Sequence, residues 1–246
     1  MIRTGVPDIL VHETSRVCWV AGTSPSARLP SRLSPAFLVT TTLRPSSLHD
    51  AFGDIDIYLF DQLLRGRIRD DATVLDAGCG SGRNLQFMMR AGMRVFGVDE
   101  SVPAIEAVRR QSAALGATSP SAHFSVQAVD AMSFADASMD VVLSSAVLHF
   151  SRDEPHFEAC VAEMWRVLAP GGLLFCRLAS TIGIEEQVRV IEGRRHSLPD
   201  GSMRFLVDAP YLVGITARLG GDLLDPLKTT VVHGLRAMTT WVLRKR

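Results

Sequence analysis

Several features that mark other classes of protein are missing from this chain of 246 residues. Its four cysteines, Cys18, Cys79, Cys160 and Cys176, form no C-x-x-C pair. Neither a disulfide framework nor a zinc site is therefore expected, and the protein is predicted to be reduced and cytoplasmic. No apolar run approaches the roughly 18 residues that a membrane-spanning helix needs. Lys plus Arg and Asp plus Glu number 26 each, a balance that gives no net attraction to nucleic acid or to anionic membranes.

The first 46 residues lack any sustained helical or alternating pattern. They contain five arginines but only two acidic residues, among scattered Ser, Thr and Pro. We expect residues 1–46 to form a disordered or poorly ordered extension. A transit peptide, which is also rich in Arg and Ser, and a translated stretch upstream of the natural start are alternatives. The folded domain is expected over residues 47–246, beginning with a helical stripe formed by Ile57, Phe60, Leu63, Leu64 and Ile68.

The most informative segment is a glycine turn that follows an apolar strand. Val74 and Leu75 lead into Asp76, and glycines follow at positions 78, 80 and 82 before a helical pattern starts. Glycine accepts positive φ and leaves no Cβ to block a ligand, and the first N–H groups of the next helix face that ligand. A nucleotide-type cofactor is the first interpretation, with Gly78, Cys79, Gly80 and Gly82 forming the turn beneath it.

The spacing of these glycines distinguishes between nucleotide cofactors. The dinucleotide fingerprint G-x-G-x-x-G/A requires a small sixth residue, but that position is Arg83 here, and no Gly-Lys-Ser/Thr follows as in a P-loop. The D-x-G-x-G-x-G form resembles motif I of the class I S-adenosylmethionine-dependent methyltransferases. This resemblance implies S-adenosylmethionine as the cofactor and places Asp76 near its cationic methionine end. A cap for the glycine loop is a compatible role for Asp76, and a dehydrogenase is a weaker alternative.

Two further acidic residues follow predicted strands. Asp99, with Glu100 after it, ends a short apolar run, where an open α/β sheet holds a ribose hydroxyl pair; the alternative is a helix cap. Asp130 follows a predicted edge strand containing Phe124. The resemblance implies that Asp130, the N–H of Ala131 and the side chain of Met132 contact the adenine. A loop aspartate without a ligand is the alternative for Asp130.

A fourth strand, beginning at Asp140, ends at Ser144 and Ser145, which point to the ligand crevice. His149 follows and is the candidate acid or base because its ordinary pKa lies near neutrality, although a structural role is the alternative. The Asn/Asp-Pro-Pro-aromatic box and the Pro-Cys nucleophile of nucleic-acid methyltransferases are absent. Base methylation is therefore not expected.

The acceptor is expected to contact the N-terminal helix, the end of the fourth strand and an insertion between Leu178 and Asp208. Candidate substrate residues are Tyr58, Arg83, Arg195 and His196. The basic cluster of the insertion suits either an anionic acceptor or a solvated loop face. Short stretches around Arg83 and His149 also resemble the tellurite-resistance type of small-molecule methyltransferase.

Alternating strand and helix patterns predict an α/β fold with a doubly wound, Rossmann-like sheet. The resemblance implies seven strands, mostly parallel, with a C-terminal antiparallel pair. The predicted function is direct, in-line transfer of a methyl group from S-adenosylmethionine to a small molecule by a monomer or homodimer without a metal. The acceptor atom is open between O, N, S and an oxyanion. A non-catalytic regulatory or scaffold module and, less favoured, a protein methyltransferase are the alternatives.

Overall fold

The computed structural model describes residues 47–116 and 123–246. The extension predicted over residues 1–46 lies outside these described residues, so its disorder and the transit-peptide alternative stay predictions. Within the described ranges, no helix is both long enough and apolar enough to cross a membrane.

The strands are short and mostly apolar at the centre of the molecule. Strand β4 is buried along nearly its whole length, as expected for a parallel strand covered on both faces. The strands are β1 (Thr73–Ala77), β2 (Arg94–Asp99), β3 (Phe124–Val126), β4 (Met139–Ser145), β5 (Leu168–Ala179), β6 (Arg189–Glu192), β7 (Arg195–Ser197), β8 (Met203–Phe205), β9 (Gly221–Leu223), β10 (Lys228–Val232) and β11 (Arg236–Lys245).

The main sheet of the described chain has the strand order β10-β11-β5-β4-β1-β2-β3, and β9 pairs with β11 beside it. Strands β1 to β5 pair in parallel, whereas β11 runs antiparallel to β5, β9 and β10. The predicted doubly wound sheet with a C-terminal antiparallel pair is confirmed, and β9 extends it. The strand order reverses between β1 and β4, and a ligand crevice is expected outside their carboxyl ends.

Most of the described helices begin at side-chain caps. Ser101, Asp153 and Asp208 each accept a hydrogen bond from a first-turn N–H, and a proline in each first turn suits a position that needs no donor. The helices are α1 (Leu48–Phe52), α2 (Ile57–Leu64), α3 (Gln86–Arg90), α4 (Val102–Ala114), α5 (Glu154–Val167) and α6 (Ala209–Arg218), with a 3₁₀ turn at Leu148–Phe150.

Two hydrophobic clusters cover the two faces of the sheet. Helices α5 and α6 contribute to one cluster, which contains Phe157, Trp165 and Trp241. Helices α2, α3 and α4 contribute to the other, which contains Leu59 and Ile105. The layers therefore hold the carboxyl ends of β1, β2 and β4 in fixed positions.

The helical stripe predicted from Ile57 to Ile68 is wrong in two respects. The apolar stripe predicted near Ile57 does not match the buried face of α2, because Ile57 and Leu64 are 66% and 72% exposed while Leu59 and Gln62 are buried. Helix α2 also ends at Leu64, so Ile68 joins the hydrophobic cluster around Leu59 from outside the helix. The cap at Asp56, itself tied to the sheet, sets which side of this short helix faces inward.

The insertion after β5 forms regular secondary structure rather than a solvated loop. Strands β6, β7 and β8 form a small antiparallel sheet, and Phe205 of β8 stacks on Phe157 of α5 with ring centroids 4.9 Å apart. Near the C-terminus, β9 and β10 are two separate short strands. The turn between them carries Pro226, which cannot donate to a strand ladder.

Candidate functional site

The glycine turn after β1 is folded tightly onto β2. The N–H groups of Gly78 and Cys79 both donate to the carbonyl of Val98, at 2.8 and 2.9 Å. Gly78, Gly80 and Gly82 all have positive φ, which explains the residue type at each position. A Cβ at Gly82 would meet Val108 of α4 at 2.5 Å, whereas a Cβ at Gly80 would meet nothing within 4 Å. Gly82 therefore serves helix packing, and Gly80 leaves its space open for a ligand.

Asp99 connects the end of β2 to this turn. Its Oδ2 accepts from the N–H of Gly80 at 2.9 Å, and its Oδ1 accepts from the N–H of Ser101 at 2.9 Å. A carboxylate oxygen has more than one acceptor site, so hydroxyl donors can join these bonds. The carboxylate is thus fixed at the carboxyl end of β2, where the sequence predicts a ribose contact.

Asp76 lies deeper, at 1% exposure. Its Oδ1 has no hydrogen-bond partner among the described residues. Burial raises the pKa of Asp76 to about 7, with Arg83 acting against this rise and Asp99 adding to it. A buried carboxyl oxygen without a donor is the environment that a ligand cation or N–H group would satisfy.

A cavity of about 540 Å³ lies outside the ends of β1, β2 and β4. It has the size of a site for a small molecule. The lining includes the predicted residues Gly78, Cys79, Gly80, Arg83, Asp99, Glu100 and Ser145, together with Ser81, Asn84, Val129, Ala146, Val147, Leu148, Phe150, Ser151, His156 and Cys160. The structure thus gathers the glycine turn, the second strand end and the fourth strand end around one cavity.

The predicted adenine contacts need correction. Met132 does not line this cavity; its side chain belongs to the main core and its N–H donates to Glu163 Oε1 at 2.8 Å. The N–H of Ala131 donates to the carbonyl of Ala128. These backbone donors are engaged within the fold because the loop after β3 turns back on itself and onto α5.

Helix α5 supplies cavity residues that the sequence analysis missed. His156 and Cys160 line the cavity, and they are one helical turn apart, a spacing that offered a signal. His156 Nε2 lies 3.6 Å from Asp130 Oδ2 and 3.6 Å from Cys160 Sγ. His156 Nδ1 accepts from the N–H of Arg152 at 3.2 Å. Nε2 of His156 therefore faces both Asp130 and Cys160. Burial raises the pKa of the Cys160 thiol to about 12, so this cysteine is not a thiolate nucleophile.

A buried charged network joins α2 to the sheet. Asp56 Oδ2 accepts from Arg177 Nη1 at 3.1 Å and from Ser145 Oγ at 3.2 Å. Arg83 Nη2 donates to Ser145 Oγ at 3.0 Å. Arg83, a candidate substrate residue, also lines the cavity. Ser144, by contrast, does not line the cavity, and its buried hydroxyl has no hydrogen-bond partner among the described residues.

His149 does not line the first cavity but a second one of about 300 Å³. Its Nδ1 is buried and has no partner in the described ranges. Burial, and then the charges of Arg204 and Arg177, lower the pKa of His149 to about 4. The imidazole is therefore neutral near pH 7 and a weak base, which argues against the acid–base role considered from the sequence.

The other candidate substrate residues are dispersed. The Tyr58 hydroxyl lies 2.5 Å from Thr230 Oγ1, and its ring faces the Arg177 guanidinium, so Tyr58 packs into the fold. Arg195 lines a shallow groove beside His149. His196 is buried, with Nδ1 2.8 Å from the carbonyl of Arg194. The structure brings neither Tyr58 nor His196 to a described cavity, because both are fixed by neighbouring strands.

Comparison with known proteins identifies this arrangement. A family model described as a methyltransferase domain matches residues 75–176, from within β1 to within β5. This range contains the glycine turn, Asp99 and the fourth strand. The chain therefore contains a domain of the class I S-adenosylmethionine-dependent methyltransferases.

Curated relatives match part of the chain's length. The chain is 29% identical over 157 residues to a malonyl-(acyl-carrier protein) O-methyltransferase of Serratia marcescens, covering 62% of this chain and 58% of the relative. A ubiquinone biosynthesis O-methyltransferase of Methylocella silvestris is 34% identical over 102 residues, covering 42% and 38%. The chain therefore spans about three fifths or less of these two relatives.

Solved structures share the fold of this chain. One is the 1,6-didemethyltoxoflavin-N1-methyltransferase of Burkholderia thailandensis, with bound 1,6-didemethyltoxoflavin and S-adenosylhomocysteine. It has a TM-score of 0.59 at 17% identity, and the match covers 79% of each chain.

S-adenosylmethionine is the cofactor of this family, and the residues present fit it. The partnerless Oδ1 of Asp76 suits a cationic amino group, and the open space at Gly80 admits a ligand against the main chain. Asp99 stands at the strand end where a ribose is held.

Proposed function

We propose that this chain transfers the methyl group of S-adenosylmethionine to an oxygen atom of a small-molecule acceptor. The observation that carries the proposal is the first cavity. A glycine turn with open space at Gly80 and the carboxylate of Asp99 line this cavity outside the point where the strand order reverses, and the buried carboxyl group of Asp76 lies near the end of the adjoining strand β1.

Each element has a distinct role in holding the cofactor. The Asp76 carboxylate would attract the ammonium group of the methionine portion, since charge pairing offsets the cost of its burial. The turn at Gly80 would pass beneath this portion. Asp99 would accept from the ribose hydroxyls while keeping its bonds to the N–H groups of Gly80 and Ser101.

Asp130 is proposed to bind the adenine with help from α5. Its Oδ2 lies 3.6 Å from Nε2 of His156, which lines the first cavity together with the apolar residues Val129 and Leu148. Ala131 and Met132 have no part in this proposal because their N–H groups are engaged elsewhere.

Bound S-adenosylmethionine supplies a methyl group activated by its sulfonium charge. The protein has to align an acceptor with that methyl group and exclude water. The fixed positions of Ser145 and Arg83, tied to Asp56, and the apolar wall of Val147 suit this positioning task. Oxygen is proposed as the acceptor atom because the two curated relatives described above are named O-methyltransferases.

Isothermal titration tests cofactor binding. The wild-type chain is expected to bind S-adenosylmethionine, and Asp99→Ala is expected to weaken binding at least tenfold because the ribose loses its acceptor. Asp99→Asn keeps an acceptor oxygen and separates this effect from a folding defect. Asp71→Ala, at a carboxylate 77% exposed outside the cavity, is the control. An unchanged affinity in Asp99→Ala contradicts the assignment.

Turnover distinguishes an enzyme from a non-catalytic module. The chain is incubated with S-adenosylmethionine labelled in its methyl group and a metabolite extract, and labelled products are separated by size. We expect label in a small product with the wild-type chain and a strongly reduced yield with Asp99→Ala. Binding without any labelled product would favour a regulatory or scaffold module instead.

A further inference from the structure

A second cavity of about 300 Å³ adjoins the first one at Ala146. Ala146 follows β4 with φ of 64°, and its N–H donates to the carbonyl of Arg177 at 2.8 Å. A non-glycine residue in this conformation costs about 1–2 kcal/mol. The fold thus places a strained residue in the wall shared by the two cavities. The second cavity is lined by Ala146, His149, Arg177, Ala179, Leu198, Asp200, Ser202, Arg204, Val232, Arg236 and Met238.

Positive charge exceeds negative charge in this lining. Arg177 is paired with Asp56 at 3.1 Å, outside the lining, yet its buried Nε has no partner among the described residues. Arg204 and Arg236 form no ion pair with any residue of the described chain. The one acidic lining residue is Asp200, whose Oδ1 accepts from the N–H and hydroxyl of Ser202 at 2.9 and 2.6 Å. Arg204 and Arg236 together with Asp200 therefore leave one net positive charge in the lining.

The rest of the lining is apolar or neutral. Leu198, Val232 and Met238 provide apolar surface at one side. His149 adds a neutral imidazole whose buried Nδ1 is without a partner in the described ranges. A cavity with one surplus positive charge and an apolar side fits an organic monoanion. A phosphate dianion fits less well, because Asp200 would repel its second charge.

We propose that the second cavity holds the acceptor as a carboxylate, bound by Arg204 and Arg236, with His149 as a neutral hydrogen-bonding partner. This assignment rests on the proposed function and adds the chemical class of the acceptor. Arginine suits the role because its planar group presents several donors in the geometry of a carboxylate.

A carboxylate acceptor also agrees with the lack of a strong base in this cavity. A carboxylate oxygen uses a lone pair to form the bond to the methyl carbon as the carbon–sulfur bond breaks and its electron pair returns to sulfur. The products are a neutral methyl ester and a neutral thioether, and no proton is released. A buried, neutral His149 is therefore sufficient, whereas a hydroxyl acceptor would need a group to remove its proton.

Binding of simple acids tests the site without turnover. Acetate, malonate and benzoate are titrated by ligand-observed NMR beside acetamide, malonamide and benzamide, with inorganic phosphate as a further probe. We expect at least one carboxylate to bind and its matching amide not to compete with it. The double variant Arg204→Gln/Arg236→Gln is expected to weaken that binding at least tenfold. Arg189→Gln, on exposed strand β6 and outside both cavities, is the matched control.

Three outcomes overturn the proposal: no carboxylate binds, the amide binds as well as its acid, or the double variant binds like the wild type. Stronger binding of inorganic phosphate than of every carboxylate also overturns it. Retained binding of S-adenosylmethionine in the double variant shows that the variant is folded, so a loss of carboxylate binding is assigned to the cavity.

The labelled product gives an independent readout. Mild alkali releases the methyl group of an ester as volatile methanol, whereas methyl ethers, amines and thioethers keep it. We expect base-labile label, and a yield at least tenfold lower in the double variant than in Arg189→Gln. Base-stable label overturns the carboxylate assignment while leaving methyl transfer intact. Failure of cofactor binding contradicts the proposed function itself. The titration of acids then tests only whether the second cavity binds a carboxylate.

Discussion

At the scale of single residues, Asp76 links the site to pH. Its folded pKa, about 7, lies above the ordinary value of 3.8 because the carboxyl group is buried. The ionised form pairs with a ligand cation, so the dissociation constant for S-adenosylmethionine should fall as pH rises from about 6 to about 8. Asp76→Asn should bind more weakly and lose most of this dependence. Titration calorimetry across that pH range measures both effects.

The raised pKa of Asp76 gives the stability of the ligand-free protein the opposite dependence on pH. The folded state binds the Asp76 proton more tightly than the unfolded state, so this group's contribution to stability is present below about pH 4 and is lost as pH rises through about 7. Comparing urea unfolding of the wild type and Asp76→Asn at pH 5 and pH 8 isolates this contribution. A wild type that gains stability relative to Asp76→Asn toward pH 8 would contradict the assignment.

Gly80 and Gly92 form a second residue-scale comparison. Both have positive φ, and a Cβ at either would meet nothing within 4 Å, but Gly80 alone lines the first cavity. Each change to Ala should therefore cost about 1–2 kcal/mol of stability from backbone strain. Only Gly80→Ala should also weaken S-adenosylmethionine binding, by about tenfold or more. Equal affinities of the two variants, measured by calorimetry, would exclude a direct role for Gly80.

At the scale of elements, Asp56 connects helix α2 to strand β5. It caps α2 and accepts from Arg177 while its side chain is only 1% exposed. Removing one partner of a buried pair costs about 3–5 kcal/mol because the other charge stays buried. Asp56→Ala should destabilise the fold by that amount in urea unfolding. Asp61→Ala, in the same helix with a partly exposed carboxylate, should cost less than about 1 kcal/mol.

The double variant Asp56→Ala/Arg177→Met shows whether charge burial causes this loss. We expect it to be destabilised by less than the sum of its single variants, because neither partner is left unpaired. Additive losses would instead mean that Asp56 acts mainly as a helix cap.

Element by element, the sequence predicts what is encoded locally. The turn from Asp76 to Gly82 carries its own short-range signal, and the predicted turn is present. The buried face of α2 was not predictable because Asp56 is oriented by Arg177, 121 residues further along the chain. Strands β6 to β8 were not predicted because they are short and rich in charge. They are stabilised by pairing with one another, which no local pattern encodes.

At the scale of the whole molecule, topology explains which site could be foreseen. The first cavity follows from parallel strands ending together, so a motif on each strand was enough to place it. The second cavity gathers Arg177, Arg204 and Arg236 from β5, β8 and β11, and no local motif connects them. The sequence predictions in the insertion named Arg195 and His196, whereas the insertion residues that line the second cavity are Leu198, Asp200, Ser202 and Arg204.

Cofactor binding should stabilise the whole domain, since the first cavity is built from β1, β2, β4 and α5, which contribute to both hydrophobic clusters. At a ligand concentration of about 100 times the dissociation constant, linkage adds about 2.7 kcal/mol to the free energy of unfolding. For a domain of this size, that corresponds to a rise in Tm of roughly 5–10 °C. Thermal unfolding followed by circular dichroism measures the shift. Asp99→Ala at the same ligand concentration should show a much smaller one, and an equal shift in both proteins would mean that the ligand stabilises the fold from elsewhere.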